Sequence, residues 1–225
     1  MKILIVAATF AEIKPILKKA VISETYNDSF SCYVINGKEI DVLITGIGMV
    51  STAYHMGRIL ANNSYDVALN FGIAGAFSRN ISLAEVVNVE NDSLSELGAE
   101  HGNDFLKFDQ LEIGTSSMTR TMWTCKNNFE INNETIQQLP RMKGITVNTI
   151  HGNWDSIKKV RELFNPDIET MEGAAFLAIC NSEKIKCAQV RSISNYVEER
   201  NRDIWEIVPA IKSLNEVAFK ILKTI

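Results

Sequence analysis

Residues 1–19 read MKILIVAATFAEIKPILKK, and they decide the fold class. Ile3–Ala8 is a short apolar run rich in Ile and Val, the pattern of a strand covered on both faces. Ala11–Lys19 reads as the helix that follows it. A buried strand passing straight into a helix opens a sheet with helices packed on it, and the same alternation recurs down the chain. Ser31–Ile35 and Glu39–Thr45 flank Asn36-Gly37, a pair that tolerates positive φ and predicts a two-residue hairpin. Met49–Ala61 is helical, with Met49, Ala53, Met56 and Leu60 on one face. Val67–Phe71 is a further buried strand, running into Gly72-Ile73-Ala74-Gly75-Ala76. Strands are also predicted at Glu85–Val89, Ile145–Thr149 and Cys187–Ser192. Helices are predicted at Asp155–Leu163 with Asp155 as its cap, at Gly173–Asn181, and at Ile204–Leu222 with Pro209 near its start. Asn91–Thr121 is polar and weakly patterned, so a long excursion or lid is expected there. The expectation is α/β, one domain over 1–225, with a mixed central sheet flanked by helices.

Composition narrows the function. A chain of 225 residues, 46% hydrophobic and 22% charged, can build a sizeable core. Its net charge of −4 leaves no basic footprint for nucleic acid or an anionic membrane, so a small-molecule partner is expected. Cys32, Cys125, Cys180 and Cys187 are scattered, with no C-x-x-C and no Cys/His cluster, so neither disulfides nor a metal site are expected, and no cofactor. The opening apolar run is too short for a signal peptide, and no run approaches the roughly 20 apolar residues of a membrane helix. A cytoplasmic location follows as an expectation.

Ligands of open α/β sheets bind where strand ends meet their loops. Glu12 follows the first strand by one helical turn, where a glutamate is also favoured simply by the helix dipole. Glu172, in Met171-Glu172-Gly173-Ala174-Ala175-Phe176-Leu177, heads an almost wholly apolar helix. Its carboxylate needs partners there: either ligand hydroxyls or backbone N–H groups of the helix start. Gly46-Ile47-Gly48 and Gly72-Ile73-Ala74-Gly75 permit close backbone approach, yet neither is a dinucleotide or Walker fingerprint, and each also reads as plain turn glycines. Ser194-Asn195 follows the last major strand. His55 sits in a helical pattern and reads as structural. His101 and His151 lie in polar segments from which a pocket is reachable, with no His-x-x-x-His spacing for a metal.

In order along the chain, these pieces resemble the purine nucleoside phosphorylase/nucleosidase superfamily over almost the full length. They are M-K-I-x-I-V-A-A-T with Glu12, Thr45-Gly46-Ile47-Gly48, Asn70-Phe71-Gly72-Ile73-Ala74-Gly75, Met171-Glu172-Gly173-Ala174-Ala175 and Arg191-Ser192-Ile193-Ser194-Asn195. The stretches GITVNTIHGN (144–153) and RSISNYVEERNRD (191–203) resemble the branch that hydrolyses futalosine rather than the methylthioadenosine/S-adenosylhomocysteine nucleosidases. Two departures bear on the reaction. The phosphorylases carry Arg where this chain has Asn70, and Ser or Thr where it has Ile73. Losing those groups removes an anion site, which makes water the expected nucleophile. The adenine-specific nucleosidases carry Asp where this chain has Asn195, and a neutral amide can donate to O6 while accepting from a protonated N7, as hypoxanthine requires.

The resemblance implies a metal-free N-glycosidase with an oxocarbenium-like transition state, acting on a purine nucleoside, futalosine, in menaquinone biosynthesis. It implies that Glu12 activates water, Glu172 holds the ribose hydroxyls, Met171 packs under the sugar and Asn195 supports the departing base. Ile47, Ile73, Ala74, Gly75, Ile150, His151, Ser194 and Trp205 would line the substrate, with Arg191 bracing the site and a cation (Arg200, Arg202 or Arg120) meeting the substrate's carboxylate. A homodimer or larger homo-oligomer is implied as well. The alternatives are a methylthioadenosine/S-adenosylhomocysteine or aminodeoxyfutalosine nucleosidase, a phosphorylase, and a non-catalytic nucleoside sensor.

Overall fold

The computed structural model describes residues 1–111 and 124–225. Strand β1 (Ile3–Ala7) shows how the chain makes two layers. Successive side chains of a strand face opposite ways. Ile3, Ile5 and Ala7 enter one apolar cluster and Leu4 and Val6 another, all at most 1% exposed. The first cluster is completed by α1 (Phe10–Leu17) and α6 (Ile207–Thr224) through Ile13, Ile16, Leu214, Ala218, Ile221 and Leu222. The second is completed by α2 (Met49–Leu60) and α5 (Gly173–Glu183) through Met56, Phe176, Leu177 and Cys180. Each large aliphatic residue buried this way contributes about 1.5–3 kcal/mol.

The remaining strands of the main sheet are β2 (Val21–Asn27), β3 (Phe30–Ile35), β4 (Lys38–Ile44), β5 (Val67–Ala76), β6 (Val86–Leu94), β9 (Thr124–Lys126), β10 (Arg141–Thr146), β11 (Ile168–Thr170) and β12 (Lys186–Tyr196). Their order is β11-β10-β6-β12-β5-β1-β4-β3-β2, with β9 added on β6. The sheet is mixed: β1 runs parallel to β4 and β5, and β12 runs parallel to β5 but antiparallel to β6. One further pairing joins β11 antiparallel to β5, so β5, β12, β6, β10 and β11 curl into a closed ring. That closure sets Gly75 of β5 opposite Glu169 of β11 on one side and Asn195 of β12 on the other.

The α/β expectation with a mixed sheet flanked by helices holds. Asn36 and Gly37 take φ of 52° and 77°, as the hairpin between β3 and β4 requires. Val21–Asn27, for which no element was expected, forms an edge strand, exposed along its whole length, so it carries no apolar alternation to read. Four expectations are corrected. Within the expected excursion, β6 continues to Leu94 and a separate hairpin follows, β7 (Gly98–His101) with β8 (Asp104–Lys107), then a short turn at Phe108–Gln110; residues 112–121 of that segment lie outside the described residues. Strand β10 ends at Thr146, ahead of the expected Thr149. Asp155 does not cap α4 (Trp154–Phe164); the Asn153 side chain does, accepting from the N–H groups of Asp155 and Ser156. Ile204 belongs to a short turn before α6, which begins at Ile207 with Pro209 in its first turn, where a missing N–H costs nothing. A one-turn helix, α3 (Glu134–Gln137), lies ahead of β10. Among the described residues no helix is long and apolar enough to cross a membrane.

Candidate active site

A cavity of about 310 Å³ opens at the strand ends where the ring closes, within the usual range for small-molecule sites. Glu12, Ile47, Ile73, Ala74, Gly75, Ile150, His151, Met171, Glu172, Ser194, Asn195 and Trp205, named from the sequence, all border it. A larger groove of about 700 Å³ lies between α1 and α6, but no convergent polar groups line it beyond surface lysines, Glu216 and Asn215.

Glu12 stands in the first turn of α1, and its Oε2 accepts from both the N–H and the hydroxyl of Thr9, at 2.8 and 3.0 Å. That much is helix capping. A capping glutamate is ordinarily solvated, whereas Glu12 is 7% exposed and its Oε1 accepts from the Ile73 N–H on β5 at 3.2 Å. Burial raises its pKa above the ordinary carboxylate value; Arg191 opposes that rise and the negative charge of Glu172 adds to it. The helix itself is shaped to hold this residue. Pro15 interrupts α1, and the Asn215 side chain of α6 inserts into the backbone ladder there. Its amide donates to the Glu12 carbonyl at 2.7 Å and accepts from the Ile16 N–H at 3.0 Å.

Glu172 resolves the choice left open by the sequence. It sits at the cap position of α5 but makes no capping bond to its own helix. The helix start is served by two threonines instead, Thr170 Oγ1 accepting from Gly173 N–H and Thr146 Oγ1 from Ala174 N–H. The freed carboxylate accepts from the Gly48 N–H at 3.0 Å and lies 3.8 Å from the Arg191 guanidinium. Gly48 holds φ of 100°, a conformation that favours glycine, so the Gly-Ile-Gly turn delivers an N–H to the site.

Arg191 is fully buried and stands behind the cavity wall rather than lining it. A side chain on Gly72, its partner on β5, would collide with its guanidinium and lie 3.0 Å from Glu12 Oε1. The guanidinium therefore sits between the two glutamates. It is held by Gln189 Oε1 at 3.1 Å and by Asn70 Oδ1, and Asn70 donates in turn to the Val6 carbonyl. Asn70 is thus a buried brace, out of reach of a ligand. Gln189 also donates to Asp92, whose second oxygen accepts from Thr146; full burial lifts the Asp92 pKa to about 6.

Asn195 borders the same cavity beside Gly75. A register shift in β12 after Ile193 re-aims it toward Gly75. Its amide donates to the Tyr196 carbonyl and accepts from Ser194 Oγ, which leaves one N–H and one lone pair for a ligand. Trp205 closes the rim, with Arg200 5.2 Å above its ring. Arg200 is the one Lys or Arg among the described residues bordering the cavity; Arg202 does not border it and Arg120 lies outside the described residues. His101, exposed on the β7–β8 hairpin, does not reach the cavity, and His55 packs its ring edge against Tyr54. Among the described residues no group of three or more His, Cys, Asp or Glu side chains is arranged to hold a metal.

Sequence reasoning missed Glu169. It borders the cavity, is 5% exposed, and accepts from the backbone N–H of His151 at 3.1 Å with its other oxygen 2.7 Å from His151 Nδ1. Its signal was a lone acid between the strand-formers Ile168 and Thr170, just ahead of Met171-Glu172. A three-residue strand is too short for alternation to reveal it.

No protein-family model matches the chain. Among proteins of known name, it is 27% identical to the futalosine hydrolase of Thermus thermophilus, over 84% of this chain and 83% of that one. It is 24% identical to the aminodeoxyfutalosine nucleosidase of Campylobacter jejuni, over 89% and 88%. Among solved structures, the futalosine hydrolase of Helicobacter pylori superposes with a TM-score of 0.80 at 16% identity, covering 99% of this chain and 97% of that one. A Streptococcus pneumoniae methylthioadenosine/S-adenosylhomocysteine nucleosidase bound to 8-aminoadenine gives 0.80 at 18%, covering both chains fully. The chain therefore has the nucleoside phosphorylase-like fold of the nucleosidases and is a sequence relative of the futalosine hydrolases.

Proposed function

We infer that the protein is an N-glycosidase that hydrolyses futalosine to hypoxanthine and dehypoxanthine futalosine, a step of menaquinone biosynthesis. The observation that carries this reading is the meeting of Glu12 and Glu172 around one buried arginine, at a cavity that Asn195 also borders. Glycosidic cleavage needs a cationic sugar stabilised, water delivered and the base supported. Glu172, tied to Gly48 and Arg191, is fixed to take the ribose hydroxyls, with Met171 beside it under the sugar. Glu12, desolvated and therefore a stronger base than a solvated carboxylate, orients the water and takes its proton. The amide of Asn195 complements a 6-oxopurine. Arg200 stands at the rim, where an anionic group at the far end of the sugar chain would find it.

Asn70 is committed to Arg191 and Ile73 carries no donor on its side chain, which supports water over phosphate as nucleophile. Four buried cysteines fit the cytoplasm. Ile47, Val50 and Tyr54, apolar and more than 60% exposed beside the cavity mouth, support a homo-oligomer. The test is a panel of futalosine, aminodeoxyfutalosine, methylthioadenosine and inosine, with free base quantified by chromatography. Futalosine should be turned over best; equal or faster release of adenine from the 6-amino nucleosides would overturn the assignment.

A further inference from the structure

Asn195 poses a chemical problem. An amide can hold the departing purine but has no proton to give up, and a purine leaving from C1′ carries off the electron pair of the broken C–N bond. Among the described residues, the titratable side chains bordering the cavity are Glu12, His151, Glu169, Glu172, Tyr196, Glu198 and Arg200. Glu12 and Glu172 belong to the water and sugar end. The Tyr196 hydroxyl donates away from the cavity, to the Ile81 carbonyl, and Glu198 is paired with Arg79. Arg200 does not give up its proton. The His151–Glu169 pair remains.

Its placement fits. A side chain on Gly75 would lie 3.1 Å from Asn195 Nδ2 and 3.6 Å from Glu169 Cγ, so the amide and the pair meet over the same glycine, at the base end. The carboxylate of Glu169 holds both the backbone N–H and Nδ1 of His151, which fixes the ring and leaves Nε2 without a hydrogen-bond partner among the described residues. Because an ionised carboxylate only accepts, Nδ1 must carry a hydrogen. A hydrogen on Nε2 as well makes the ring an imidazolium, whose charge Glu169 balances.

We propose that His151, oriented by Glu169, is the general acid that protonates the departing purine. As the C1′–N9 bond breaks, its electron pair passes to the purine. The Nε2 proton moves to N7, which the Asn195 carbonyl oxygen then holds. Water adds to C1′ and its surplus proton goes to Glu12. Neutral imidazole and protonated Glu12 are left, and exchange with solvent restores both.

The inference rests on the glycosidase reading, and the test separates the two. Wild type, His151→Gln and Glu169→Gln are assayed on futalosine and on its N7-methyl derivative, whose purine is already cationic and leaves as a neutral base without a proton. His151→Gln should lose about 10²-fold or more in kcat on futalosine and stay within a few-fold of wild type on the methylated substrate. Glu169→Gln, which keeps an acceptor for His151, should show the same selectivity at smaller amplitude. Losses of equal size on both substrates for both variants, or no loss on futalosine, would overturn the assignment and mark the pair as a structural clasp. A wild type that cleaves neither compound would instead sink the glycosidase reading itself.

Discussion

Glu12 is held by three protein donors and desolvated, an arrangement that costs stability for the sake of a reactive carboxylate. With its folded-state pKa raised above the unfolded value, its favourable contribution exists only at low pH and is lost as pH climbs through the raised value. Glu12→Gln removes the buried charge while keeping an acceptor. It should abolish turnover with KM little changed and leave the Tm at pH 7 equal to or above wild type by thermal melt; a lower Tm would show that the carboxylate is a structural cap. Asn195→Asp should move preference toward 6-amino nucleosides by about 10²-fold or more in the kcat/KM ratio, since a buried polar mismatch discriminates strongly. An unchanged ratio would remove Asn195 from base recognition.

At the scale of elements, Glu12 depends on how α1 is built. Asn215 fills the break beside Pro15 and grips the Glu12 carbonyl, so Asn215→Ala leaves two buried backbone groups to re-pair or go without. The expected cost is about 1–3 kcal/mol in denaturant unfolding, with a fall in kcat as the first turn shifts. Wild-type kcat in a destabilised variant would show that α6 supports the fold but does not position Glu12. Nothing in the sequence marks this contact, because residues 199 positions apart meet only in the folded chain. The strands and helices themselves were legible wherever burial left an apolar run, as at Ile3–Ala7 and at the start of Gly173–Glu183. Val21–Asn27, wholly exposed, and Ile168–Thr170, three residues long, offered no such run.

Across the whole molecule, the closed ring of β5, β12, β6, β10 and β11 brings distant segments to one cavity. Glu12, Glu172 and Asn195, named from motif order, border that cavity, whereas Glu169 came only from the β5–β11 pairing, and Arg191, expected to brace the site, stands in the layer behind the lining. That layer joins Asp92, Gln189, Arg191 and Asn70 under the site. Asp92, with its pKa lifted to about 6, contributes stability below about pH 4 that is lost as pH rises through 6. Asp92→Asn does not titrate, so its stability relative to wild type should rise by roughly 3 kcal/mol between pH 4 and pH 7, at about 1.36 kcal/mol per unit. A difference flat with pH would mean that Asp92 is ionised throughout.

The central claim is that two glutamates around one arginine direct water at a purine nucleoside. Its most direct test is the rate of hypoxanthine release from futalosine in phosphate-free buffer and again with added phosphate, with phosphorus NMR of the sugar product. The same rate in both, with no sugar phosphate formed, is the predicted result. An absolute need for phosphate, or no base released in either buffer, would contradict the account.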